Sequence, residues 1–307
     1  MRRYRLWSVL ALLTLLTGCR PLVETEETPL SIYATFYPIY ALTEAVMRDV
    51  PDAELHCLVQ PQDGCLRAYA ISDWDAYLLA SADAVICGGR GLESFESLLF
   101  QWRKSGPAVS TVLYNLELYE GKATGDREDS HLDGPNPHLY LSLEGAKRMI
   151  EGITGSMMAL DPRYGDRYAE NEEKAMAALN ALSDQIQTEV GHLKGRKIAL
   201  MHEALIYPAK DLGLEIVDWI DRESGEGLYG DALTACADRV KASGAEVVLI
   251  ERQAPTALIA ALHSAGIGVA RLDTLSTGRE GQNFDHYMEA LQNNARAVAR
   301  AFEEIEG

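Results

Sequence analysis

From Tyr164 onward, apolar residues recur mostly three or four positions apart: Tyr168, Met176, Leu179, Leu182, Ile186, Val190 and Leu193. That is the spacing of one helix face. Asp161-Pro162 opens the run with an N-cap acid and a proline at the first helical position, where no backbone N–H is missed. Lys194-Gly195 closes it with a cation at the last turn and a residue free to take the left-handed cap conformation. The pattern predicts one continuous helix from Asp161 to Leu193, roughly 50 Å long at ~1.5 Å rise per residue. Such a rod either joins two lobes at a fixed distance or lies as an amphipathic helix on the surface of a single domain.

On both sides of it the pattern changes to short β-rich runs separated by helical stretches. Before it, strands are predicted at Ile32–Phe36, Leu55–Val59, Ala84–Cys87 and Ala108–Tyr114. Helices run to Arg48 and over Ser72–Ala80, Leu92–Trp102 and Leu141–Leu160. After it come strands at Lys197–Met201, Glu215–Ile220, Val247–Ile250 and Val269–Leu272, with helices at Ala204–Leu212, Tyr229–Ala242, Pro255–Ala265 and Asn283–Phe302. Gly121 to Pro137, rich in glycine, proline and acids, is expected as a surface loop. The alternation predicts an α/β fold of two lobes, each a mostly parallel sheet flanked by helices, joined by one long rigid helix. The halves are alike in architecture and not detectably in sequence. The expected divisions are a leader (1–19), a tether (20–30), a first lobe (31–160), the linker helix (161–194) and a second lobe (195–307).

Composition narrows the function. With 46 acids against 28 bases, a formal charge of −18, the chain lacks the basic face that nucleic acid requires. Arg2, Arg3 and Arg5 precede an apolar core, Leu6–Leu16, too short to span a bilayer comfortably. Leu16-Thr17-Gly18-Cys19 then has the form of a bacterial lipobox, with Cys19 as the lipidated residue and new N-terminus. The expected location is the extracytoplasmic face of a bacterial cell membrane, held by lipid rather than by a spanning helix. Four further cysteines remain. Cys57 and Cys65 are close enough to pair where disulfides are allowed, whereas Cys87 ends an apolar run and reads equally as a buried thiol.

Ligands of open α/β sheets sit at the carboxyl ends of strands. Three polar residues stand after strands or loops there: His138 behind Asn136-Pro137, His202 behind the strand ending at Met201, and Asp273 behind Leu272. Imidazole with carboxylate suits zinc or manganese, although each residue taken alone serves equally as a cap or a bonded loop residue. Glu251, also at a strand end, reads either as a partner orienting a histidine or as a salt bridge to Arg252. His56, His192, His263 and His286 fall within predicted strands or helices and read as surface or packing residues. The Gly88-Gly89-Arg90-Gly91 turn lacks the lysine–serine ending of a phosphate loop and reads as a tight turn.

The order Tyr33-Ala34-Thr35-Phe36-Tyr37-Pro38, Asp75 to Asp83, Gly91-Leu92-Glu93, Asn136-Pro137-His138-Leu139-Tyr140-Leu141 and Leu272-Asp273 resembles the substrate-binding lipoproteins of zinc and manganese ABC transporters. The resemblance covers Ile32 to the C-terminus and includes the long interlobe helix. It implies a receptor, not an enzyme, that carries a divalent metal, zinc or alternatively manganese, to a membrane permease and its ATPase. It places His138, His202 and Asp273 on three of four ligand positions in the interlobe cleft. Arg67 falls where the family carries its first histidine, and a guanidinium cannot ligate a cation. Cys65 or Asp63 could supply a replacement donor, the site could keep three ligands and water, or Arg67 could mark an anionic or chelated-metal ligand. Retained metal binding is preferred. A zinc hydrolase needs a general base, and Glu203, next to His202, would point away if strand geometry continued. An adhesin or sensor role fits the same address, and a monomer is expected.

Overall fold

The computed structural model describes residues 29–59, 69–102, 108–121, 134–220, 229–276 and 282–307. Cys19, Asp63, Cys65 and Arg67, and with them the Cys57–Cys65 pairing, lie outside the described residues.

The first lobe carries four parallel strands, β1 (Leu30–Ala34), β2 (Ala53–Cys57), β3 (Ala84–Cys87) and β4 (Ala108–Thr111), in the order β2-β1-β3-β4. Helices α1 (Tyr37–Met47), α2 (Asp73–Ser81) and α3 (Glu96–Trp102) are the crossovers. Pro38 opens α1, and Ser72 opens α2 through a capping box with Asp75, whose carboxylate also accepts from Tyr69. The expected surface loop holds one short antiparallel ribbon, β5 (Glu120–Gly121) with β6 (Gly134–Pro135).

After α4 (Leu143–Leu160) the linker forms as a 3-10 turn at Pro162–Tyr164, then α5 (Gly165–Val190), then a 3-10 turn at Gly191–Leu193. The sequence pattern thus marks both ends of the rod, but 26 residues are α-helical, ~39 Å at ~1.5 Å per residue. Gly195 takes a φ of +81° just beyond it. Tyr168, Leu179, Leu182, Ile186 and Val190 of α5 are buried in a core continuous with both lobes.

The second lobe repeats the plan. Its parallel strands β7 (Lys197–Leu200), β8 (Glu215–Trp219), β9 (Val247–Glu251) and β10 (Gly268–Leu272) lie in the order β8-β7-β9-β10, the first lobe's order over again. Helices α6 (Ile206–Asp211), α7 (Asp231–Ala242), α8 (Thr256–Ser264) and α9 (Phe284–Glu306) cover it. In each parallel sheet the strand order reverses between the two central strands, β1/β3 and β7/β9, and the crevices for ligands open there.

Both long helices fasten the lobes. Asn171 of α5 donates to the carbonyls of Val46 (3.0 Å) and Arg48 (2.7 Å) at the end of α1. At the other end of α5, Glu189 pairs with Arg296 of α9 at 2.8 Å. Although α9 follows the second sheet, its first turn reaches the first lobe: Phe284 N–H donates to Glu44 at 3.1 Å, and the Tyr287 hydroxyl donates to the Tyr140 carbonyl.

Candidate metal centre

β6 ends at Pro135, and Asn136-Pro137-His138 turns into the 3-10 segment Leu139–Leu141 ahead of α4. β7 ends at Leu200, and Met201-His202 turns into the 3-10 segment Glu203–Leu205 ahead of α6. Both imidazoles are buried, His138 at 3% and His202 at 7% exposure. Their ring centroids lie 5.5 Å apart with the planes at 80°. Two histidines separated by more than sixty residues thus meet where the lobes face each other.

Asn136 sets the chemistry of His138. Its side-chain oxygen, which can only accept, receives the backbone N–H of His138 (3.1 Å) and lies 2.8 Å from Nδ1. The amide orientation is fixed from the far side, because Nδ2 donates to the Glu203 carbonyl at 2.8 Å. In neutral His138 the proton therefore sits on Nδ1 and the Nε2 lone pair is the one that can ligate. The Asn136 carbonyl in turn accepts from Tyr207 at 2.6 Å. His202 has the opposite bias: its Nδ1 accepts from the Ala204 N–H at 3.2 Å and caps the turn, so neutral His202 carries its proton on Nε2. Ligation through that Nε2 requires the ring to surrender its cap and its proton.

Glu203 does not point away. The strand has stopped at Leu200, so residues 202 and 203 no longer alternate, and Glu203 Oε1 lies 3.9 Å from His138 Nδ1. It faces the bonded nitrogen of His138, the position of a carboxylate that raises a ligand's basicity.

Asp273 stands apart from the pair. Its Oδ1 accepts from Leu275 N–H and its Oδ2 pairs with Arg252, both at 2.8 Å. Arg252 thus pairs with Asp273, not with its neighbour Glu251, which is buried at the end of β9. Among the described residues, no three His, Cys, Asp or Glu side chains stand close enough together to hold a metal ion.

Two further buried carboxylates brace the backbone, one within the first lobe and one between the histidine segments. Glu93, 2% exposed, sits at the first lobe's crevice and accepts from Thr35 Oγ1 (2.7 Å), Gly88 N–H (2.7 Å) and Gly89 N–H (2.9 Å). Burial still raises its pKa over those three bonds. The glycine turn beside it gives its remaining N–H groups, those of Arg90 and Gly91, to Glu96, so carboxylates occupy the amides a phosphate would need. Asp211, at the end of α6, accepts from Leu143 N–H (2.7 Å) and Ser142 Oγ (3.0 Å), capping α4 of the opposite lobe. Burial pushes its carboxyl up to about 6. Asp211 therefore ties the His202 segment to the His138 segment. Cys87 is a buried thiol raised by burial, and Cys57 Sγ donates to the Val59 carbonyl at 3.5 Å.

In the sequence Asn136 stands out only within its motif and Glu203 only as the neighbour of His202, while Asp211 does not stand out at all. Asn136 carries a readable signal, an Asx residue two positions before the group it binds. Asp211 and Glu203 carry none, because their partners lie far away in the chain.

The family described as zinc-uptake complex component A, periplasmic, matches residues 32–301. The high-affinity zinc uptake system protein ZnuA of Bacillus subtilis is 23% identical over 207 residues, 63% of this chain and 62% of its own. The zinc-binding lipoprotein AdcA of Streptococcus pneumoniae is 23% identical over 302 residues, 90% of this chain and 56% of its own. The chain thus spans less than two thirds of either relative. The nickel complex of FpvC from Pseudomonas aeruginosa superposes with a TM-score of 0.74 at 22% identity, over 90% of this chain and 97% of that one. At that identity the likeness speaks for the fold, while the sequence match over nearly the whole chain shows that it belongs to the family of periplasmic zinc-uptake component A.

Proposed function

We propose that this chain is the extracytoplasmic capture component of an ABC uptake system for a divalent transition metal, with zinc as cargo and manganese as the alternative. The observation that carries it is the buried pair of imidazoles 5.5 Å apart, one of them with its Nε2 lone pair set by Asn136. His138 and His202 are the ligands, and Asp273 joins them once Arg252 releases it. Cys65 and Asp63 are the sequence's candidates for a further donor. Imidazole with carboxylate suits zinc, and no catalytic step is assigned. Names of relatives support the cargo: zinc-binding for AdcA, and manganese-binding for the lipoprotein MntA of Halalkalibacterium halodurans. Anchored by lipid at Cys19, the monomer hands the ion to a permease and its ATPase. The test is calorimetric titration of metal-stripped protein with zinc and with manganese. One-to-one zinc binding that His138→Ala and His202→Ala each weaken at least ~100-fold is expected. Flat zinc traces with the wild type contradict the proposal.

A further inference from the structure

A second cavity borders the second lobe, and neither imidazole lines it. It runs between the edge strand β10 and helix α9, has a volume of about 590 Å³, and is lined by Arg252, Arg271 and Arg300, with Asp273 and Glu289 as its acids. Cations outnumber anions here, in a chain where 46 acids face 28 bases. The three guanidiniums come from three elements: Arg252 from the turn after β9, Arg271 from β10, Arg300 from α9. Arg252 is held by Asp273, in a pair whose arginine side chain is 66% exposed; such a pair is weak enough for an incoming anion to exchange. Arg271 and Arg300 have no carboxylate partner among the described residues.

Two features make the cavity roomy and keep a peptide strand from filling it. Along α9 the residues at 290 and 297 are alanines, two turns apart on one face, so the helix presents no bulk to the groove. At the exit of β10, Asn294 takes the Asp273 N–H (2.7 Å) and donates to the Asp273 carbonyl (2.8 Å). Those backbone groups are the ones an added strand would use, so β-augmentation is already blocked there.

From this we infer that the β10–α9 groove is a binding site for a small organic or inorganic polyanion, a di- or tricarboxylate or a di-phosphate, gripped by Arg252, Arg271 and Arg300. The guanidinium fork matches carboxylate and phosphate oxygens two at a time, which a lone lysine would not. The anion displaces Asp273 from Arg252. The site shares Asp273 with the proposed metal ligands but uses neither imidazole.

The experiment titrates metal-stripped protein, dialysed free of chelator, with tricarballylate and separately with pyrophosphate, using acetate as the monoanion control. Saturable one-to-one binding of at least one polyanion below about 1 mM is expected, weakening as chloride rises. Which of the two binds more tightly identifies carboxylate or phosphate as the source. Arg271→Gln with Arg300→Gln, both exposed changes, should weaken binding more than ~10-fold, and Asp273→Asn should tighten it by removing the competing carboxylate. A His138→Ala/His202→Ala protein separates the two sites: it should lose zinc and keep the anion. Binding of neither polyanion by 10 mM, or equal binding by the double arginine variant, overturns the inference.

Discussion

Asp211→Asn tests the contact that ties the two histidine segments together. In the folded chain the carboxyl is raised from 3.8 to about 6, by burial first, which outweighs the bonds from Leu143 and Ser142. A raised acid pKa means that the native state holds the proton more tightly than the unfolded chain. The stabilisation is therefore complete below about pH 3.8 and is lost as pH rises through about 6. Two pH units at ~1.4 kcal/mol each put the cost of the ionised group near neutrality at roughly 3 kcal/mol, as an upper value. Asparagine keeps an acceptor for the Leu143 N–H and offers an amide N–H to Ser142 Oγ, while removing the charge. Urea unfolding of metal-stripped protein should show Asp211→Asn more stable than wild type by about 1–3 kcal/mol at pH 7.5, with the gap closing by pH 4. A variant less stable than wild type at pH 7.5, with the deficit growing as pH rises, would mean that the charged bonds to α4 outweigh desolvation and would refute the reasoning.

Other consequences follow from particular contacts. Asn136→Ala should weaken zinc binding ~10–100-fold by freeing the His138 tautomer, read by calorimetry, and should lower stability as well because the side chain is fully buried. Leu179→Ala, at a fully buried position of the linker helix, should cost ~2–5 kcal/mol in urea melts without altering zinc stoichiometry. Gly145→Ala should destabilise by several kcal/mol, since an added Cβ would collide with the Leu139 carbonyl where α4 begins; a normal melt would mean that this approach relaxes freely.

The alternation of strands and helices, and both ends of the linker, are legible in the chain because local periodicity and capping chemistry dictate them. Ser72, Pro38 and Gly195 do locally what their types require. His138 and His202 are legible as residues that follow β-structure, His138 behind the β5–β6 ribbon and His202 behind β7 of the second sheet. The Asp273–Arg252 pair is not legible, because it joins turns 21 residues apart across the sheet edge. The direction of Glu203 is not legible either, because strand alternation ends at Leu200 and a 3-10 turn follows from Glu203. The reach of α9 back to Glu44 and Tyr140 is likewise a long-range packing outcome with no local signal. Arg67, on which the sequence alternatives turn, lies outside the described residues.

The most direct measurement of the central claim is X-ray absorption at the zinc edge on protein loaded with one equivalent of zinc. Two imidazole nitrogens at about 2.0 Å, falling to one in His138→Ala and one in His202→Ala, are what the account predicts. A zinc shell without imidazole, or one unchanged by either substitution, would contradict it.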